Sequence, residues 1–198
     1  MVCTNDEEVY ETLRMLRSHG MVRESSNEAT AAQFHQNHPD LNPQFIFAHA
    51  AYNMRNNEIG AILGRQQLKN LDKNNLNRSR NQSHFLSKIN SAFYQTDFFV
   101  KGSSNYAFNL VLKEKDDGLM NHLMQTLNDN GVEFRRGSAG GGNQLRQPYL
   151  QNLVEPEAWK KYPVTEHIHF YGMYIGNFPN LTIGEIDEIV GIINSAVH

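Results

Sequence analysis

Near residue 95 the hydrophobic pattern of this chain changes its period, and no other feature narrows the fold as much. From about Asn56 to Phe93 apolar residues recur at helical spacing: Ile59, Ile62 and Leu63 open a stripe that Leu68, Leu71, Leu76, Phe85, Leu86 and Ile89 continue. Beyond it, Tyr106, Phe108, Leu110 and Leu112 alternate, which puts them on one face of a strand. Segment 117–130 returns to helical spacing through Leu119, Leu123 and Leu127 and is closed by Asn130-Gly131. Val132 to Arg136 and His167 to Ile175 read as two more strands. Thr182 and Glu185 have capping-box spacing, and Ile183, Ile186, Ile189, Val190, Ile193 and Val197 make the last helix amphipathic. From about residue 95 onward the pattern predicts a compact α+β unit, with helices on one side of a small, mainly antiparallel sheet.

Upstream the signals are sparser. Thr4 and Glu7 also have capping-box spacing, with Asn5 and Asp6 as rival caps, and Val9, Leu13 and Leu16 follow on one helical face. Gly20 is a natural stop for that helix. The preceding Met-Val-Cys reads as the end of a strand. Residues 24–48 are polar, carry Pro39 and Pro43, and predict a long loop. The 23 Asn of the chain favour caps and turns, so short connections are expected.

Composition excludes several classes. Lys and Arg number 18 against 21 Asp and Glu, and this net acidity gives no global footprint for nucleic acid. The basic run KNLDKNNLNRSRNQ inside the helical stretch would suit a nucleic-acid module, but a solvated helix face bridging two domains is the plainer reading. The single cysteine, Cys3, excludes a disulfide framework and a cysteine-based zinc site. The first eight residues, MVCTNDEE, are unlike a signal peptide, and no apolar run is long enough for a membrane span. A cytoplasmic protein with no membrane and no nucleic-acid partner is expected.

Four segments could carry chemistry. His167 and His169 would share a strand face and could share a metal; a polar face meeting a loop is the plainer reading, and no metal site is expected. Arg135-Arg136-Gly137-Ser138-Ala139-Gly140-Gly141-Gly142-Asn143 lacks the signature of a P-loop or a dinucleotide fingerprint. It reads either as an ordinary turn or as a loop whose bare N–H groups, with an arginine, approach an anion. On strand periodicity the two arginines face opposite ways, so Arg136, next to the glycines, is expected to face the ligand and Arg135 to pair with a surface acid. Asn53 precedes a helix start, a position suited to a phosphate, although from spacing alone an ordinary turn or cap residue is the plainer reading. His19 and Arg23, four apart across Gly20, meet only through a tight turn.

Arg17-Ser18-His19-Gly20, Tyr52-Asn53-Met54-Arg55 with Asn57-Glu58-Ile59-Gly60-Ala61 and Gln67-Leu68, and the stretches FRRGSAGGGNQLRQPYL and HIHFYGMYIGNFPNLT together resemble the PLP-dependent nucleotide-sugar aminotransferase and dehydratase family, often called the DegT family. The resemblance runs along nearly the whole chain, and the glycine loop is closest to the sugar 3-dehydratases of the family. It implies the C-terminal portion of an aminotransferase fold-type I protein, α/β to α+β: residues 1–70 a remnant of the PLP-binding large domain with the start of a connecting helix, and 71–198 the small α+β domain. The position of the Schiff-base lysine, a histidine in the 3-dehydratases, would fall before Met1.

By the same resemblance the complete enzyme uses pyridoxal 5'-phosphate or pyridoxamine 5'-phosphate with glutamate. It removes the C3 hydroxyl of a GDP-4-keto-6-deoxy sugar in deoxysugar biosynthesis for lipopolysaccharide O-antigen. Asn53 would reach the cofactor phosphate of a neighbouring subunit. His19 would move a proton, and Arg23, Arg136, Ser138, Gly140 and Gly141 would hold the nucleotide-sugar. Partners would be a second copy or a chain carrying the upstream half. The alternatives are a nucleotide-sugar 4-aminotransferase and a non-catalytic dimerising remnant.

Overall fold

The computed structural model describes residues 2–54, 58–137 and 142–197. In chain order the elements are helices α1 (Glu7–Leu16), α2 (Glu28–Asn37), α3 (Glu58–Leu68) and α4 (Leu71–Lys88), strand β1 (Ala107–Val111), α5 (Asp117–Asp129), β2 (Phe134–Arg136), α6 (Pro163–Tyr171), β3 (Gly172–Gly176) and α7 (Ile183–Ser195). The chain forms two compact units, one of residues 1–57 and 139–169, the other of 58–138 and 170–198. Among the described residues no helix is long and apolar enough to cross a membrane.

The second unit is built on a sheet ordered β1-β3-β2, antiparallel throughout. Phe108, Leu110 and Leu112 point into a core with Met173 and Ile175, covered by Met120, Leu123 and Leu127 of α5 and Ile186, Val190 and Ile193 of α7. Tyr106, expected on the same face, lies before the strand and is exposed. Asp116 caps α5 by accepting the Leu119 N–H, and Thr182 with Glu185 forms the capping box of α7. At the far end of β3, Asn177 is buried; its amide donates to the carbonyls of Arg78 (3.0 Å) and Asn105 (2.9 Å), and its oxygen accepts from Asn81 (3.2 Å).

The first unit has a smaller core of Val22, Leu41 and Ile46, flanked by Phe34, Ala31 and Ala48. Asp6, not Thr4, caps α1 by accepting the Val9 N–H. The helix ends into two consecutive left-handed residues, His19 (φ 62°) and Gly20 (φ 74°). The chain from 17 to 22 then runs beside 46–54: His19 N–H donates to Tyr52 O, Val22 N–H to Ile46 O, and Ala48 N–H to Gly20 O. A Cβ on Gly20 would lie 2.1 Å from the His49 carbonyl oxygen, so only glycine fits there. Gln147 is fully buried; its side chain donates to Phe45 O and accepts the Phe47 N–H.

Several expectations give way to the structure. Val2 and Cys3 are exposed and form no strand, since no strand of this chain lies beside them. The loop expected over 24–48 contains α2, which Asn27 caps and which fully buries no residue, so it leaves no apolar stripe to read. The helical stretch 56–93 breaks at Lys69-Asn70 into α3 and α4. His167 and His169 lie on α6, not on a strand; the strand starts only at Gly172. By contacts, 139–169 group with the N-terminal segment, because the chain leaves the sheet after β2 and returns at β3.

Glu11 accepts from the Ser25 hydroxyl (2.6 Å), the Ser26 N–H (2.8 Å) and the Ser26 hydroxyl, which lowers its pKa from 4.5 to about 2. Its contribution is therefore present above pH 4.5 and is lost as the pH falls through about 2. Carboxyl-carbon NMR titration of Glu11 should show this depressed midpoint, and a midpoint near 4.5 would remove the serine contacts. Replacing Asn177 by Ala should lower the unfolding free energy of the second unit by roughly 1–3 kcal/mol in urea titration, because two partly buried carbonyls and the buried Asn81 amide lose a hydrogen bond.

Candidate functional site

The register of β2 on β3 decides where the two arginines go. Phe134 faces Ile175, Arg135 faces Tyr174 and Arg136 faces Met173. Arg135 therefore sits on the outer face, beside Tyr174, with its guanidinium 3.9 Å from the carboxylate of exposed Glu133. Arg136 sits on the core face at the end of the strand and is half-buried. One terminal nitrogen donates to Phe170 O, while its Nε is buried and has no partner. Burial works against the charge and lowers the Arg136 pKa, and only Asp117 and Tyr171 oppose this. Those two are themselves joined, the Tyr171 hydroxyl donating to Asp117 Oδ1 at 3.0 Å. A desolvated guanidinium with an unpaired N–H suits an anionic ligand.

Beyond Arg136, Gly137 keeps a left-handed conformation (φ 75°) and donates to Gly172 O. Ser138, Gly140 and Gly141 lie outside the described residues. The segment reappears at Gly142 (φ 69°), whose added Cβ would lie 2.0 Å from His169 Nδ1.

In the first unit the Arg-x-His-Gly segment and Asn53 come together. Ser18 and Asn53 form an antiparallel bridge, with His19 N–H on Tyr52 O at 2.8 Å and Met54 N–H on Arg17 O at 3.1 Å. Both His19 and Asn53 are exposed. Beneath them the Ser18 hydroxyl is buried without a partner. Arg23 is turned elsewhere: it donates to Gln44 O at 3.2 Å and lies over the Phe45 ring, so it makes no hydrogen bond or ion pair with His19. The exposed Asn53 carboxamide is of a type that can donate to a phosphate oxygen, whereas the Ser18 hydroxyl is too deeply buried to do so. Lys160 and Lys161, the described lysines of this unit, pair at the surface with Glu157 and Glu155.

The periodicity missed a further cluster, because its members come from distant segments. Arg146 is held by both oxygens of Glu166 and by Asp40 (2.5 Å), and its guanidinium lies 3.8 Å from the Trp159 ring centroid. Asn143 donates through its amide to Glu166 (2.9 Å), and His169 is buried among these groups. The described residues contain no group of three or more His, Cys, Asp or Glu arranged to hold a metal.

Residues 1–194 match the DegT/DnrJ/EryC1/StrS aminotransferase family. The chain belongs to that family. The GDP-4-keto-6-deoxy-D-mannose 3-dehydratase of Escherichia coli O55:H7 is 26% identical over 191 residues, covering 95% of this chain and 48% of that protein. The Yersinia pseudotuberculosis protein of the same name is 27% identical over 177 residues, covering 89% of this chain and 44% of that protein. Among solved structures, the E. coli GDP-4-keto-6-deoxy-D-mannose-3-dehydratase with bound hydrated PLP superposes with a TM-score of 0.58 at 24% identity, over 96% of this chain and 48% of that one. The 3-amino-5-hydroxybenzoic acid synthase superposes with a TM-score of 0.59 at 19% identity, over 98% of this chain and 48% of that one. The fold is thus that of part of an aminotransferase fold-type I protein, and the chain spans about half the length of the curated relatives it matches.

A half-buried cation with an unpaired N–H costs folding free energy, so Arg136→Met should leave stability unchanged or raise it by about 0–1 kcal/mol. Urea titration checks this. A loss above about 2 kcal/mol would make Arg136 a structural residue.

Proposed function

We propose that this chain is the C-terminal half of a PLP/PMP-dependent sugar 3-dehydratase, which removes the C3 hydroxyl of a GDP-4-keto-6-deoxy sugar. The observation that carries the reading is Arg136, a desolvated guanidinium with a free N–H at the mouth of the glycine-rich segment. The names of the two curated relatives supply the substrate class. In this reading 1–70 are what remains of the cofactor-binding domain and 71–198 the small domain. A second copy or a chain carrying the upstream half completes the site. The setting is cytoplasmic deoxysugar synthesis for lipopolysaccharide O-antigen.

Each residue then has a task. Asn53 donates an amide N–H to the phosphate of a cofactor held by the neighbouring subunit. When bound, PLP or its amine form, replenished from glutamate, supplies an electron sink for bond cleavage beside the keto carbon. His19, exposed on its left-handed turn, delivers a proton to the departing hydroxyl. Arg136 grips the diphosphate, with Ser138, Gly140 and Gly141 as further contacts. Arg23 adds positive charge near the sugar, although its donor to Gln44 must first be released.

The test joins this chain to the family's cofactor-binding half and follows release of 3-deoxy sugar from GDP-4-keto-6-deoxymannose with PLP and glutamate. The joined protein should turn over and this chain alone should not. His19→Asn should lower kcat by about 10²–10³-fold with KM little changed. Turnover by this chain alone, or full activity of the His19 variant, contradicts the reading.

A further inference from the structure

The sheet of the second unit runs β1-β3-β2, so among the described residues β2 has one edge that no strand takes up. The hydrogen-bond phase decides what that edge offers. Gly137 N–H donates to Gly172 O at 2.9 Å, which makes these two a hydrogen-bonded pair one step beyond Arg136 and Met173. Antiparallel pairs alternate, so Arg135 and Tyr174 are hydrogen-bonded as well. Phe134 and Arg136 therefore turn their N–H and C=O groups away from β3. The other side of β3 agrees: Asn177 N–H donates to Tyr106 O and Leu112 N–H to Tyr171 O, which commits the backbone of Met173 and Ile175 to β1.

The side chains along this edge match their own reversed order. Glu133 and Arg135 stand on the outer face, both exposed, with 3.9 Å between their charged groups. An edge kept single by charge carries one sign, so that two copies repel; this one carries both. Turned antiparallel about Phe134, the strand meets itself with Glu133 opposite Arg135 and Arg135 opposite Glu133. These are the non-hydrogen-bonded positions, where opposed side chains come closest. Other centres within β2 fail: a two-fold at Arg135 sets arginine on arginine, and one at Arg136 sets Arg135 against Gly137. Beside the edge, Val132, Phe134, Leu181 and Ile189 line an apolar cavity of about 500 Å³.

We propose that β2 is a docking edge for a second copy of this chain, the two strands pairing antiparallel across a two-fold axis at Phe134 and joining two three-stranded sheets into one of six. Each Phe134 N–H donates to the Phe134 carbonyl of the other copy, and each Arg136 N–H to the other copy's Val132 carbonyl. Two Glu133–Arg135 pairs close the outer face. The interface is isologous, so every contact occurs twice. The strand is only three residues long, which makes the dimer reversible and its population dependent on concentration. The pairing rests on the sheet and not on the function proposed above.

Sedimentation velocity on the whole chain tests it. The mass should rise with concentration from 22.7 kDa towards twice that value. Glu133→Arg and Arg135→Glu each set like charges opposite one another twice, and each should weaken the dimer by about tenfold or more. The two single variants mixed together regain both opposite-charge pairs, so they should associate at the parent's affinity, and so should the double variant Glu133→Arg/Arg135→Glu. Amide exchange of Phe134 in the parent should slow as concentration rises, which reads the edge without any substitution. A chain that stays monomeric up to about 1 mM overturns the proposal. So does a dimer that neither reversal weakens, which would move the interface elsewhere, for example to the exposed Ile59, Ile62 and Leu63 of α3. Reversals that weaken the dimer without rescue in the mixture also overturn it. The turnover assay of the joined protein decides the proposed function separately.

Discussion

Strand β3 is hydrogen-bonded on both edges, and that pairing decides which way each side chain of the short β2 points. A slip of one residue would exchange Arg135 and Arg136 between the outer face and the core face. The buried partners Met173 and Ile175, covered by α5 and α7, forbid the slip, because it would bring Arg135 inward and expose Phe134. The hydrophobic core of the second unit therefore sets the direction of one cation. That cation ends where the strand ends, so Arg136 is only half enclosed and keeps an unpaired N–H.

The first unit reaches its geometry by different means. Its core is small, and the chain is held instead by close backbone approach and buried polar side chains. Gly20 admits the His49 carbonyl, Gln147 satisfies Phe45 and Phe47, and Gly142 lies against His169. Such contacts tolerate little change in shape, which is why His19 can persist in a left-handed conformation at the end of α1. The same turn places His19 next to Ser18, which bridges Asn53, and leaves both His19 and Asn53 exposed.

Where local signals agree with burial, the sequence was legible. The capping box of α7, the Leu119-Leu123-Leu127 face of α5 and the alternation of Phe108, Leu110 and Leu112 all stand as read. So does the opposition of Arg135 and Arg136, which follows from period two alone. Helix α6 was misread because His167, His169 and Tyr171 alternate like a strand and run straight into β3; Pro163 at its first position was the available signal. Helix α2 fully buries no residue and packs only Ala31 and Phe34 on the core, too few for a stripe. The cluster around His169 joins residues more than a hundred positions apart, and no local pattern encodes that. His19 and Asn53 were singled out through family resemblance; the bridge between their segments is non-local.

The proposed function assigns different roles to adjacent arginines that the sheet register turns to opposite faces. Calorimetric titration of GDP into the complete enzyme, with Arg136→Ala compared against Arg135→Ala, tests it most directly. Loss of a charge-assisted contact to a diphosphate should weaken binding by about ten- to a hundredfold in the Arg136 variant, and the Arg135 variant should stay within about twofold of the parent. Equal effects of the two substitutions, or a larger effect at Arg135, would contradict the account.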